Sequence, residues 1–376
     1  MSVAPRTVLL VGTYGLQRRK SVELFGQALA ERLPAHGWQV LPAPACGALA
    51  ALAHRRGSKP LALLDRLLLQ RSALLAAGRR AALVHFTDTS DAVLLNGWFG
   101  SRTVVTCHDL FFLERTLGSG RASRGQRLWQ GAIRRGLDRA DAVGFVSHCS
   151  AAAFRRVSRR AQRTARDRVI PNGPYQDFHA PPAAETAARL RAFAPALVPG
   201  RYVLNVGSNF ERKNRRGVLR AFAAAGLPAD FRLAMVGERM QAAHRTLAAE
   251  HGIADRIVEL PEIGFGELEA LYSGAFALLF PSFEEGFGVP ILEAQQCACP
   301  VVCSDIEIFH EVAQRSALLA PPADPAALGA SLRQLLDPEG RAALIAAGLA
   351  NARRYSLDAM ARDYAALYAE VLAAPR

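Results

Sequence analysis

Glu285 and Glu293, with seven residues between them, flank a glycine-rich turn in the stretch PSFEEGFGVPILEAQQCACPVVCSD, residues 281–305. Phe276 to Phe280 is a short apolar run that reads as a buried strand ending at Pro281. Gly286 and Gly288 make the next turn permissive and let a ligand approach the backbone. Pro290 suits the first position of a helix, where a missing N–H costs nothing. The free N–H groups of that helix start then face whatever lies above the turn. Glu293 falls about one turn into the helix, and helical side chains lean back toward the N-terminus. Both carboxylates can therefore address one ligand. A carboxylate accepts both hydroxyls of a vicinal diol, and freed amides suit hydroxyl or phosphate oxygens. A plain glycine turn before a helix with acidic residues near its start is the competing reading, and the helix dipole favours that as well.

A second group lies in VGSNFERKNRRGVLRAF, residues 206–222. A strand ends at Gly207, and a helix starts near Asn214 with Arg212 and Lys213 at its N-terminus. Two cations beside free N–H groups suit a diphosphate. Cations at a helix N-terminus oppose its dipole, which speaks against a merely solvated surface. His108, in VVTCHDL, sits just past a strand end, where α/β proteins place ligand sites. A lone histidine is more often structural, and Asp109 beside it reads as a loop-orienting residue. No two aspartates are separated by one position, so no D-x-D metal–diphosphate motif is present. Cys297, Cys299 and Cys303 do not have a common zinc spacing, and no metal is expected. No G-x-S-x-G nucleophile elbow occurs.

The first stretch closely resembles the E-x7-E signature of retaining GT-B glycosyltransferases of family 4, mannosyltransferase-like members included. The matching residues are Ser282, Glu285, Gly286, Phe287, Gly288, Pro290, Leu292, Glu293 and Ala294, followed by Pro300, Val301, Val302, Ser304 and Asp305. The resemblance implies that Glu285 and the Gly286–Phe287–Gly288 backbone hold a donor sugar. It implies that Glu293 holds the ribose of a nucleotide sugar, GDP- or UDP-linked, and that Lys213 and Arg212 hold its phosphates. Ser208 stands where the R-x4-K form of the motif has arginine, so Arg212 is the substitute. His-Asp at this point in similar enzymes puts His108 near the reacting bond, and the catalytic residues that the resemblance implies are His108, Lys213 and Glu285. Gly207 and Gly15, at strand ends, are implied to line the substrate. Ala140, Asp141, Val143, Val146 and Ser147, with the Pro171-Asn172-Gly173 turn, match family positions that read as structural. No cofactor is implied beyond the nucleotide-sugar substrate.

Elements that position these residues alternate. Strand patterns at 7–11, 40–41, 82–86, 103–107, 142–146 and 169–170 are interleaved with helical ones, among them 22–32 and the leucine-rich 61–77, with Arg66, Arg71, Arg79 and Arg80 beside it. Gly12 and Gly15 open the first loop. The pattern restarts at 202–206, then 231–236, 257–260, 277–280 and 301–303, with helices at 215–225, 325–336 and 357–372. Strands alternating with helices argue for parallel sheets. The expected fold class is α/β, and the resemblance implies GT-B, two Rossmann-like doubly wound domains facing across a cleft. Expected boundaries are 1–179, 180–356 and a last helix, 357–376, crossing back to the first domain. Residues 180–200, rich in Ala and Pro, read as the connection.

The chain has 376 residues, 51% of them hydrophobic and 21% charged, a globular composition with room for two cores. MSVAPRTVLLVGTYG reads as a first strand rather than a signal peptide, and no run reaches the length of a membrane span. Six cysteines without a signal suggest reduced thiols in the cytoplasm. Residues 1–180 hold 27 Lys and Arg against 11 Asp and Glu, a net +16, and the remainder nets −3. The basic half is expected to meet an anionic partner. Two basic stretches stand out: Arg121, Arg124, Arg127, Arg134 and Arg135 around Trp129, and a helix capped by Ser150 with Arg155, Arg156, Arg159, Arg160 and Arg163 on one face. Expected partners are a nucleotide sugar, a lipid-linked or oligosaccharide acceptor and an anionic membrane surface, with leucines 61–77 as a shallow apolar face. The expected location is cytoplasmic, with peripheral association at the inner face of the membrane, in polysaccharide or glycolipid assembly. A basic nucleic-acid-binding protein accounts for the charge but not for the glutamate motif, and no zinc-finger, RRM or KH pattern accompanies it. An inactive partner subunit conflicts with intact Glu285, Glu293 and Lys213.

Overall fold

The computed structural model describes residues 6–12, 20–44, 49, 52, 55–56, 58–97, 100–118, 122–159, 166–261 and 263–375. The chain divides into two compact units, residues 1–175 with 357–376, and residues 176–356.

Runs such as Val8 to Val11 are apolar on both faces of the chain, as a strand covered by helices on both sides requires. In the first unit β1 (Arg6–Val11), β2 (Trp38–Pro42), β3 (Leu83–Phe86), β4 (Arg102–Cys107), β5 (Ala142–Phe145) and β6 (Arg168–Val169) form one parallel sheet in the order β2-β1-β3-β4-β5-β6. Helix α1 spans Lys20–Arg32. Helix α2 runs as Lys59–Leu64, a π turn Asp65–Gln70, and Arg71–Gly78. Helices α3 (Phe111–Gly118), α4 (Arg124–Arg139) and α5 (His148–Val157) follow. Phe86, Val105, Leu137 and Phe145 are among the buried residues of the core.

The second unit repeats the plan. After α6 (Ala183–Phe193), strands β7 (Tyr202–Gly207), β8 (Arg232–Gly237), β9 (Ile257–Leu260), β10 (Ala277–Phe280), β11 (Val301–Ser304) and β12 (Leu318–Ala320) form a parallel sheet in the order β12-β11-β10-β7-β8-β9. The helices are α7 (Arg215–Ala224), α8 (Ala242–Glu250), α9 (Phe265–Gly274), α10 (Val289–Gln296), α11 (Glu307–Val312), α12 (Pro325–Gln334) and α13 (Pro338–Ala352). The last helix, α14 (Leu357–Ala373), packs within the first unit. Its Tyr364 and Tyr368 are fully buried, and His85 lies between them: Nδ1 is 2.6 Å from the Tyr368 hydroxyl and Nε2 is 2.8 Å from Thr106 Oγ1, itself 2.8 Å from the Tyr364 hydroxyl. A side chain at Gly144 would strike the Tyr364 ring, so this glycine admits the helix.

Three expectations need correction. Residues 180–200 are not only a connection: they lie within the second unit and hold α6, with Leu190 and Thr186 buried and α9 packed against it. A Cβ at Gly274 would sit 2.6 Å from Leu190, which shows how closely the two helices meet. The cap of α5 is Ser147, whose side chain accepts from the Ser150 N–H, and Ser150 completes the capping box from inside the helix. That helix ends at Val157, so Arg155 and Arg159 do not share a helical face, and Arg160, Arg163 and Arg121 lie outside the described residues.

Candidate active site

In the second sheet β7 lies beside β10, but the chain leaves them in opposite directions, through β8 and β9 on one side and β11 and β12 on the other. The turns after these two strands therefore diverge, and ligand crevices of open α/β sheets form at such switch points. The turn after β7 carries Arg212 and Lys213 in a short 3-10 turn, Glu211–Lys213. Asn214 closes it in the left-handed region, φ 51°. Its Oδ1 accepts from Gly217 N at 3.0 Å and caps α7, while its Nδ2 donates to Pro281 O at 2.9 Å and Pro322 O at 2.8 Å. One amide side chain thus fastens the loops after β7, β10 and β12. Gly207 ends β7, and its carbonyl accepts from Arg215 at 2.8 Å. Gly237, φ 106°, passes so near that a Cβ there would be 2.3 Å from Gly207 O.

Glu285 lies in the turn after β10 and is nearly buried. Lys213 Nζ donates to its Oε1 at 2.6 Å, Arg212 to its Oε2 at 3.2 Å, and Ser282 Oγ to Oε1 at 2.8 Å. Burial alone would raise its pKa, but the Lys213 and Arg212 charges, with the bonds from Lys213 and Ser282, hold it below the ordinary carboxylate value. Ser282 is itself fixed, its carbonyl accepting from Ser304 Oγ at 2.6 Å. Arg212 also donates to Glu284 O at 3.2 Å, and Lys213 Nζ lies 5.3 Å from the centre of the Phe280 ring. One carboxylate against two cations leaves a net positive charge, and the ammonium and guanidinium together have more N–H groups than Glu285 can accept. That surplus suits phosphate oxygens.

Gly288, φ 107°, is the N-cap of α10, and a Cβ there would meet the Phe309 ring at 2.8 Å. The Phe287 ring is buried edge-on to Tyr355, 5.8 Å between centroids, so what this residue offers a ligand is its backbone. Glu293 is on α10 and 6% exposed. It accepts from the Tyr272 hydroxyl of α9 at 2.8 Å. Burial raises its pKa to about 7 despite that bond. The structure thus joins Arg212, Lys213 and Glu285 in one hydrogen-bonded group and gives Glu293 a separate partner. Tyr272, Asn214 and the carboxylate-holding role of Ser282 were not read from the sequence. Tyr272 and Asn214 look there like a core aromatic and a cap.

His108 belongs to the first unit. Its Nε2 donates to Thr87 O at 2.8 Å, its backbone N–H donates to Thr89 Oγ1 at 2.9 Å, and Phe25 packs edge-on at 5.0 Å. Gly15 lies outside the described residues. Among the described residues no group of three His, Cys, Asp or Glu side chains is arranged to hold a metal ion. Cys297, Cys299 and Cys303 are buried, and burial pushes their thiols well above the ordinary value. No helix among the described residues is long and apolar enough to cross a membrane.

Comparison with known proteins bears on both units. Residues 191–349 match the model of glycosyl transferases group 1, and residues 22–174 match that of glycosyltransferase family 4. A curated relative is the O-antigen chain mannosyltransferase B of Escherichia coli, 34% identical over 170 residues, which cover 41% of this chain and 42% of the relative. The chain thus spans less than half the length of that protein. Among solved structures, sucrose-phosphate synthase from Thermosynechococcus elongatus superposes with a TM-score of 0.76 at 23% identity, covering 98% of this chain and 100% of the other. Anabaena Alr3699/HepE in complex with UDP-glucose gives 0.72 at 16% identity, covering 96% and 98%. These likenesses show the GT-B fold. With a family model matched on each unit and the glutamate motif in place at the β7–β10 switch point, the chain belongs to the family 4 glycosyltransferases.

Proposed function

We propose that this protein is a retaining glycosyltransferase that moves a sugar from a nucleotide diphosphate to an acceptor hydroxyl without a metal ion. The observation that carries the reading is the Lys213–Arg212–Glu285 group at the switch point of the second sheet. In this reading Lys213 and Arg212 hold the donor diphosphate and stabilise the charge that grows on it as the sugar leaves, an electrostatic task otherwise given to a divalent cation. Glu285 and the Gly286–Gly288 backbone hold the sugar, and Glu293 accepts the ribose hydroxyls. A donor phosphate oxygen takes the acceptor proton, with attack on the face that the diphosphate leaves. His108 stays in the proposal as a sugar-side residue, on the strength of the family resemblance and its oriented ring.

For the donor we take mannose from GDP-mannose, supported by the O-antigen mannosyltransferase relative; the UDP-glucose complex of the Anabaena protein supports nucleotide-sugar binding in general. The acceptor is an oligosaccharide or lipid-linked glycan in polysaccharide or glycolipid assembly, met at the cytoplasmic face of a membrane. A thermal-shift panel of nucleotide sugars is the test, because a donor that binds only the folded state raises the melting temperature. GDP-mannose is expected to give the largest shift with EDTA present. A panel without any shift, or a shift that vanishes in EDTA, contradicts the reading.

A further inference from the structure

Helix α2 is built inside out. Its polar residues Asp65, Arg66 and Gln70 are buried, while Leu63, Leu64, Leu68 and Leu69 are 43%, 45%, 56% and 47% exposed. The inward face is held by tertiary contacts. Arg66 donates to Asp91 and, at 3.1 Å, to Ser90 Oγ, both in the 3-10 turn Thr89–Leu95. Its guanidinium also lies 5.4 Å from the centre of the Trp129 ring on α4. Rotating the helix to bury the leucines would break this ion pair in the protein interior, where Asp91 is fully buried. The leucines therefore stay outside, with about half of each side chain left in water. A clustered apolar face kept in water against that gradient marks an interaction surface.

The residues around it say what covers it. Arg55 and Arg56 before the helix and Arg79 and Arg80 after it are exposed, and between positions 55 and 80 the lone acid is the buried Asp65. Next to Trp129, α4 exposes Leu128 at 69%, with Arg124 and Arg127 in the preceding turn. The unit as a whole has 29 Lys and Arg against 13 Asp and Glu. A second copy of the same face would set these arginines against one another, because a two-fold contact pairs like with like. An anionic lipid surface takes up leucines and arginines together.

We propose that the leucine face of α2, extended by Leu128 and flanked by Arg124 and Arg127 of α4, docks this protein on an anionic membrane. The leucines enter the acyl boundary and the arginines meet lipid phosphates, as with surface-lying amphipathic helices. The proposal stands whichever sugar is moved.

The test is sedimentation of the full chain with vesicles of phosphatidylcholine alone or mixed with phosphatidylglycerol, alongside sedimentation velocity without lipid. Wild type is expected to bind the anionic vesicles and to lose binding as salt rises. The variant Leu63→Gln/Leu64→Gln/Leu68→Gln/Leu69→Gln is expected to keep its melting temperature, since it removes exposed groups, and to bind on the order of tenfold more weakly. Arg124→Gln/Arg127→Gln is expected to lose about fivefold per arginine on anionic vesicles only. A leucine variant that sediments like wild type overturns the proposal, as does equal binding to neutral vesicles. A dimer that the leucine substitutions dissociate makes a second copy the occupant and overturns it too.

Discussion

A carboxyl group that is 6% exposed, with the Tyr272 hydroxyl as its donor, ionises only near pH 7, because burial outweighs that one bond. The folded value lies above the unfolded one, so the ionised form opposes folding. Stability present below the unfolded value is lost as pH rises through about 7. Glu293→Gln cannot ionise, and at pH 8 it is expected to be more stable than wild type by about 2–3 kcal/mol, with the gap closing toward pH 5. The same substitution is expected to weaken GDP binding, since a neutral amide is a poorer partner for a diol. Tyr272→Phe removes the bond that favours the carboxylate and is expected to move the pH midpoint of nucleotide affinity upward. Melts and calorimetric titrations across pH check both; a Glu293→Gln variant less stable at pH 8, or a midpoint unmoved in Tyr272→Phe, contradicts them. The sequence supplied Glu285, Glu293, Arg212 and Lys213 one by one, because a glycine turn and a cationic helix start are local patterns. It did not show the cations closing on Glu285, a contact across 72 positions, nor a buried tyrosine whose hydroxyl serves Glu293.

At the scale of elements, strand periodicity located β1, β3, β4, β7, β8 and β10 to within a residue or two, since buried parallel strands are continuous apolar runs. Helix α6 was hidden in an Ala- and Pro-rich stretch that carries no strong apolar stripe, and α13 and β12 were not assigned for a similar reason. The outward leucines of α2 were legible as a helix but not as an exposed face, because Arg66 is drawn inward by Asp91 of another element. That packing rests on Gly136 of α4, where a Cβ would lie 1.7 Å from the carbonyl oxygen of Ala92. Backbone meets backbone there and neither can yield cheaply. Gly136→Ala is expected to destabilise the protein by about 2–4 kcal/mol, checked by denaturant unfolding. A loss below about 0.5 kcal/mol, the range of an ordinary surface change, means that α4 and the 89–95 turn are not locked as described.

The whole molecule is two Rossmann-like units, and the chain's last helix belongs to the first of them. The latch is His85, fully buried between Thr106 and Tyr368, and burial with the nearby charge of His108 lowers its pKa to about 3. The unfolded state binds the proton first, so stability falls as pH drops below the ordinary histidine value near 6.5. His85→Leu is expected to be less stable than wild type at pH 7 and to close that gap by roughly 2 kcal/mol at pH 5. A gap that is unchanged with pH would place the latch elsewhere. The two-unit plan was readable from the restart of the strand pattern after Pro171-Asn172-Gly173, and the fold likeness extends over nearly the whole chain. In the proposed function Lys213 and Arg212, anchored on Glu285, hold a donor diphosphate in place of a metal. Calorimetric titration of GDP and GDP-mannose in EDTA, into wild type and Lys213→Ala, measures this most directly. Wild type is expected to bind both, and Lys213→Ala to lose about tenfold or more, as a charge-assisted contact of 1.5–3 kcal/mol implies. Equal affinity in the two proteins, or binding by wild type that appears only when a divalent cation is restored, contradicts it.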